Sequence, residues 1–156
     1  MIQTADFTKW LGILLAETFG VSGTADAYIL DSGHAGLLGT INTLSAEVAS
    51  AARTPEQATI ASHCAHVLLL LRIFDAYEQG QTPTPDWEGS WSTRVVDDAA
   101  WRTLRGELQA AYDSVVAGLQ AHDAWPEPRV AAALMLLAHC AYHVGEIRQR
   151  LTWVMA

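Results

Sequence analysis

Apolar residues along this chain recur at spacings of three and four, the periodicity of helices with one buried face. Alternating Val/Ile/Thr runs, the mark of strands, do not occur. Phe7, Trp10, Leu11, Leu14 and Leu15 form one such stripe and predict a first helix over about 6–19, stopped by Gly20 and Gly23. The segment GLLGTINTLSAEVAS predicts a shorter, minor helix. Thr54, Pro55 and Gln57 have the order of an N-cap, a first-turn proline and a capping-box partner. They predict the start of a second long helix, which runs to about Glu78 and ends before Gly80.

Pro83, Pro85 and Gly89 make GQTPTPDWEGSW a loop, whose Trp87 and Trp91 are expected to anchor it to the rest of the chain. Asp97 is the expected cap of a third long helix, with Val96 and Trp101 at hydrophobic-staple spacing. Its buried stripe is Trp101, Leu104, Leu108, Tyr112, Val115 and Leu119. Pro126 and Pro128 break the chain once more, and Pro128 suits the first turn of a fourth helix that continues almost to the end. Long amphipathic helices joined by short connections predict an all-α fold, a four-helix bundle with an extra short helix between the first two long ones. With 156 residues and no linker or repeat, one domain over 1–156 is expected.

Composition narrows the functional classes. The net charge is −8, and the basic residues form no cluster. A nucleic-acid-binding face needs such a cluster to neutralise phosphates, so no nucleic-acid partner is expected. The N-terminal segment lacks a basic region followed by an apolar run. The most apolar stretch, VAAALMLLAHCAYHV, is shorter than a span requires and is interrupted by histidine. A soluble, cytoplasmic protein without a membrane partner is therefore expected. Cys64 and Cys140 sit in apolar segments and read as small buried residues of a reducing compartment rather than a disulfide framework.

Candidate chemistry lies in the histidines. His139 and His143 are four apart, on one helical face and one turn from each other, a spacing that lets two imidazoles grip one ion. On the second long helix, Arg72, Asp75 and Gln79 mark the wet face, and His63 and His66 both project nearly opposite it. A buried imidazole tends to be neutral, the form that binds metal. Two facing helices thus offer histidines to a common core, a usual way for bundles to build metal sites. The competing explanation is a set of core histidines bonded to each other or to backbone.

His122, beside Asp123, suits the negative end of the third helix. His34 lies in a glycine-flanked turn. Glu146 shares the face of His139 and His143 and is a candidate general base or partner of a ligand. An ordinary ion pair with Arg150, four residues on, is the preferred explanation.

The segments HVLLLLRIFDAYEQG and HCAYHVGEIRQ, the loop DWEGSW and the run W-x-x-L-R-x-x-L at Trp101–Leu108 resemble the DinB/YfiT-like superfamily of metal-binding four-helix bundles. The resemblance covers most of the chain from about Gly36 onward. It implies a histidine triad, with one ligand from the second long helix and two, four apart, from the fourth. By position the pair is His139 and His143. The third ligand is His66, because the segment after it follows the family's run, with His63 as the alternate. The family often carries glutamine or a small residue where Glu146 stands.

Three nitrogen ligands leave a coordination position open, and imidazole does not discriminate among nickel, zinc, iron and manganese. The resemblance further implies a metal-dependent transferase that activates a low-molecular-weight thiol such as mycothiol or bacillithiol. Arg148 and Arg150 are candidate contacts for substrate carboxylates, although a solvated face is the preferred explanation for both. The alternative is a non-catalytic, metal-stabilised or small-molecule-binding bundle with a stress-related role. A homodimer is expected in either case, paired through a helix face.

Overall fold

A computed structural model describes residues 4–121 and 124–154. The described residues form α1 (Thr4–Phe19), α2 (Leu37–Asn42), α3 (Ala46–Ser50), α4 (Ile60–Glu78), a 3-10 turn at Gly89–Trp91, α5 (Asp98–Gln120) and α6 (Glu127–Val154), with no strand among them. The fold is all-α. The long helix α4 packs on both α5 and α6, and α1 packs on the same two helices. The four enclose one apolar core, into which Leu11, Leu15 and Phe19 project from α1 and Val67, Leu71 and Phe74 from α4. Trp101, Leu108 and Val115 enter it from α5, and Leu136, Val144 and Ile147 from α6.

The stripe on α1 is narrower than its spacing suggests. Trp10 is 47% exposed and packs edge-on against Tyr28. The buried line runs through Leu11, Leu15 and Phe19. Ring stacking of Phe19 on Tyr112 at 4.8 Å joins α1 to α5.

The minor helical segment divides in two. The break falls at Thr43–Leu44, and the Ser45 side chain caps α3 by accepting from Val48 N–H. The two short helices pack across α5, with α2 also on α1 and α3 on α4.

The start of α4 differs from the expected one by five residues. Thr59, not Thr54, is the cap, and it forms a reciprocal capping box with Ser62. Gln57 instead accepts from the backbone N–H of Arg53. A helix beginning at Thr54 would use the carbonyls of Glu56, Gln57 and Ala58 as acceptors for its own later N–H groups. Here arginines from distant elements take them: Arg94 donates to the carbonyls of Glu56 and Gln57, and Arg150 to that of Ala58 at 2.9 Å.

At its other end α4 closes as expected. Gly80 adopts φ +74°, its N–H donates to Tyr77, and Gln81 N–H donates to Ala76. This is a Schellman ending, in which glycine occupies the left-handed position without steric cost. Asp97 caps α5 through Ala100 N–H, also as expected. His122 and Asp123 lie outside the described residues.

The connection from α1 to α2 is ordered by one buried carboxylate. Glu17 accepts from the backbone N–H groups of Tyr28, Ile29 and Leu30 at 2.7–3.0 Å. Burial alone raises its pKa, but the N–H groups of Leu30, Ile29 and Tyr28 outweigh that and hold it below the usual carboxylate value.

Helix α6 is 28 residues long, so the length argument drawn from its most apolar stretch does not hold. By length and hydropathy alone both α4 and α6 pass for membrane spans. Most of α4's apolar window is buried inside the molecule, but only 33% of α6's is. Buried core helices of soluble proteins have the same composition.

Candidate metal centre

The capping box fixes where α4 begins, and with it the direction in which its first two turns point. His63 and His66 both turn inward and are 3% and 5% exposed. Across from them α6 presents His143, which is buried, and His139, which is partly exposed. Nitrogens of His66, His139 and His143 all lie within 4.8 Å of one another. His66 Nε2 is 3.3 Å from His139 Nε2, and the rings of His139 and His143 stack at 4.9 Å.

His63 is placed differently. Its Nδ1 lies 2.9 Å from Nδ1 of His143, one bearing the proton and the other accepting it. The face projection of α4 left these two histidines equivalent. The structure groups His66 with His139 and His143 and sets His63 against His143 alone.

The two buried rings of the triad, His66 and His143, are each oriented by a partner on Nδ1. His66 Nδ1 lies 2.8 Å from Ser90 Oγ, whose hydroxyl donates to the Trp87 carbonyl at 2.7 Å. The hydroxyl proton is thereby committed, so Ser90 Oγ accepts from His66 Nδ1–H. The lone pair of His66 is then on Nε2, facing His139. In His143, Nδ1 engages His63, while Nε2 is buried without a protein hydrogen-bond partner. His63 Nε2 is buried without a partner as well, so one of these two nitrogens bears a proton and the other a lone pair. When His143 donates its Nδ1–H to His63, the costly lone pair is on His143 Nε2, and a cation supplies what it lacks.

The electrostatics favour neutral rings. Burial pushes His143 down to about 3, helped by the neighbouring His63, His66 and His139 and by Arg150. Burial and Arg150 push His63 down to about 4, against the opposing pull of Glu146. Burial and His139 lower His66 as well. All three are therefore neutral near pH 7, the state in which imidazole donates to a metal.

The loop between α4 and α5 covers the site. Trp91 stacks on His66 at 4.3 Å with the rings 22° apart, and meets His63 edge-on at 5.2 Å. Trp87 lies 5.9 Å from His66. Trp91 thus anchors the loop as expected, on the histidine cluster, whereas Trp87 borders the cluster but remains 46% exposed.

The remaining candidates lie apart from the cluster's donor set. Glu146 forms an ion pair with Arg150, which also donates to the Glu146 carbonyl and to Ala58. Arg148 donates to the Ala35 carbonyl and bonds His34 Nδ1. Both arginines, considered as substrate contacts or as a solvated face, instead tie loops to α6. Cys64 and Cys140 are fully buried beside His63 and His139 in sequence. Burial pushes the Cys140 thiol up to about 12 and raises Cys64 also, which keeps both from offering a thiolate.

Ser90 is the functional residue that reading the sequence missed. A lone hydroxyl in an irregular loop carries no periodicity. Only its place in DWEGSW, between two tryptophans, marked the segment at all. Compared with protein-family models, with curated proteins and with solved structures, the chain matches none.

Proposed function

We propose that His66, His139 and His143 hold one divalent metal ion, and that the chain is a DinB/YfiT-like bundle using it to activate a low-molecular-weight thiol for transfer. The observation that carries the metal reading is the convergence of the three histidines, two of which have their other ring nitrogen already engaged. His66 is fixed by Ser90 and His143 by His63. Such support is what orients imidazole ligands and sets their tautomers.

Three protein ligands leave a position open, the arrangement of catalytic rather than closed structural sites. When bound, the ion lowers the pKa of a thiol or water at that position. His139 is the only partly exposed member of the triad. Trp91 lies over His66 and keeps water from that side. The family resemblance supports the thiol and the transfer, and the open position is compatible with both. The second reading, a metal-stabilised bundle without catalysis, draws on the depth of His143, which is 2% exposed.

Metal content of the purified protein, read beside that of His139→Ala, tests the site. Stoichiometric metal in the parent and a loss of at least about tenfold in affinity in the variant are expected. Unchanged metal content in the variant would remove His139 from the site. Thiol conjugation by the metal-loaded parent, absent in His139→Ala, separates transferase from non-catalytic bundle.

A further inference from the structure

The triad's exposed member also lines a cavity. His139 closes one end of a groove of about 470 Å³ between α4 and α6. Leu70, Phe74 and Leu136, all buried, form its bottom, and the exposed Tyr77, Trp87 and Met135 form its rim. His139 is the only lining residue with an ionisable nitrogen. Beyond Phe74, Tyr77 and Ala132, which the two share, a second hollow of about 730 Å³ continues toward Glu78 and Arg129.

At that far end Arg129 is committed. It pairs with Glu78, donates to the carbonyl of Ala124, and lies 4.0 Å over the Trp125 ring. It is therefore spoken for rather than waiting for an anionic ligand. A groove of this size, mostly apolar, with the Tyr77 hydroxyl and Trp87 indole N–H at its rim and His139 at its end, has the make-up of a small-molecule site.

We propose that this groove binds the neutral, apolar portion of the substrate, an extended chain or flat ring. The reactive head would be directed at His139 and the ion beside it. The orientation of the head rests on the metal reading; the groove itself does not. Three exposed apolar side chains at the mouth of a groove call for an occupant. Continuity with His139 favours a small molecule over a second copy of the chain.

Two probes separate the groove from the metal. With zinc-loaded protein, octanohydroxamate is expected to bind roughly tenfold or more tightly than acetohydroxamate, because burial of its extra methylenes adds affinity. Both Met135→Glu, at an exposed rim position, and Ala132→Trp, which fills the groove, are expected to abolish that advantage. Acetohydroxamate should bind either variant as it binds the parent.

With metal-free protein, the neutral dye N-phenyl-1-naphthylamine is expected to brighten, to be displaced by octanohydroxamate, and to lose its signal in both variants. Dye binding without zinc binding would uphold the groove and retire the metal reading. Equal affinity for the two hydroxamates together with no dye signal would overturn the groove. So would dye binding that falls as protein concentration rises, which would give the groove to a second copy of the chain.

Discussion

Ser90 touches no candidate ion position directly, yet it decides which nitrogen His66 offers. Its hydroxyl proton goes to the Trp87 carbonyl, so its lone pair must receive the His66 Nδ1 proton. Ser90→Ala is expected to weaken zinc binding about 10- to 100-fold, measured by competition with a chromophoric chelator. The thermal midpoint of the metal-free protein should hardly move, since Ser90 is only partly buried. Ser90→Thr, which keeps the hydroxyl, is expected to restore the affinity. A drop in midpoint that tracks the loss of affinity would make Ser90 a structural residue only. His63 differs from Ser90 in being legible beforehand. Its spacing put it on the inward face of α4, while its bond to His143 depends on the distance between two helices, which no spacing encodes.

Helices were legible wherever their own residues specify them. Asp97 and Gly80 act locally, through side chain and backbone conformation, and both fulfil the roles their types suggest. The N-terminus of α4 was not legible. Thr54-Pro55 and Thr59 are both locally acceptable starts, and the choice falls to Arg94 and Arg150, 37 and 92 residues away from the carbonyls they bind. Thr59→Ala is therefore expected to destabilise the protein by roughly 1 kcal/mol or somewhat more. It loses the cap and also the hydroxyl's bond to the Arg94 carbonyl at 2.9 Å. Thr54→Ala should stay within about 0.5 kcal/mol of the parent. Urea midpoints of the two variants check the pair, and a reversed order would return the cap to Thr54.

At the scale of the whole molecule, burying neutral histidines couples stability to pH. The unfolded chain takes up protons on His63, His66 and His143 as pH falls below their ordinary value of 6.5, while the folded chain takes them up only at lower pH, about 4 for His63 and about 3 for His143. Stability of the metal-free protein is thus at its full value above about 6.5 and declines steadily toward pH 4. Below 4.5 Glu17 adds to the decline, because its carboxyl gains a proton more readily when unfolded. Urea midpoints across this range test the sign, and a flat profile would contradict it. Saturating zinc is expected to raise the thermal midpoint at pH 7.5, by about 2.7 kcal/mol of stability at a hundredfold excess over Kd. A chelator should reverse the gain, and the gain should shrink on acidification as protons compete for the imidazoles.

The histidines stand on α4 and α6, whereas Ser90, Trp87 and Trp91 arrive on the connection between α4 and α5, which doubles back along α4 to reach them. Donor atoms and the groups that tune them therefore belong to stretches of chain under different constraints. Helical positions are held by core packing, but a surface connection accepts insertions and exchanges at little cost. If the cluster holds an ion as proposed, descendants of this sequence, natural or engineered, can retune it by rewriting loop residues without disturbing the scaffold that gathers the imidazoles.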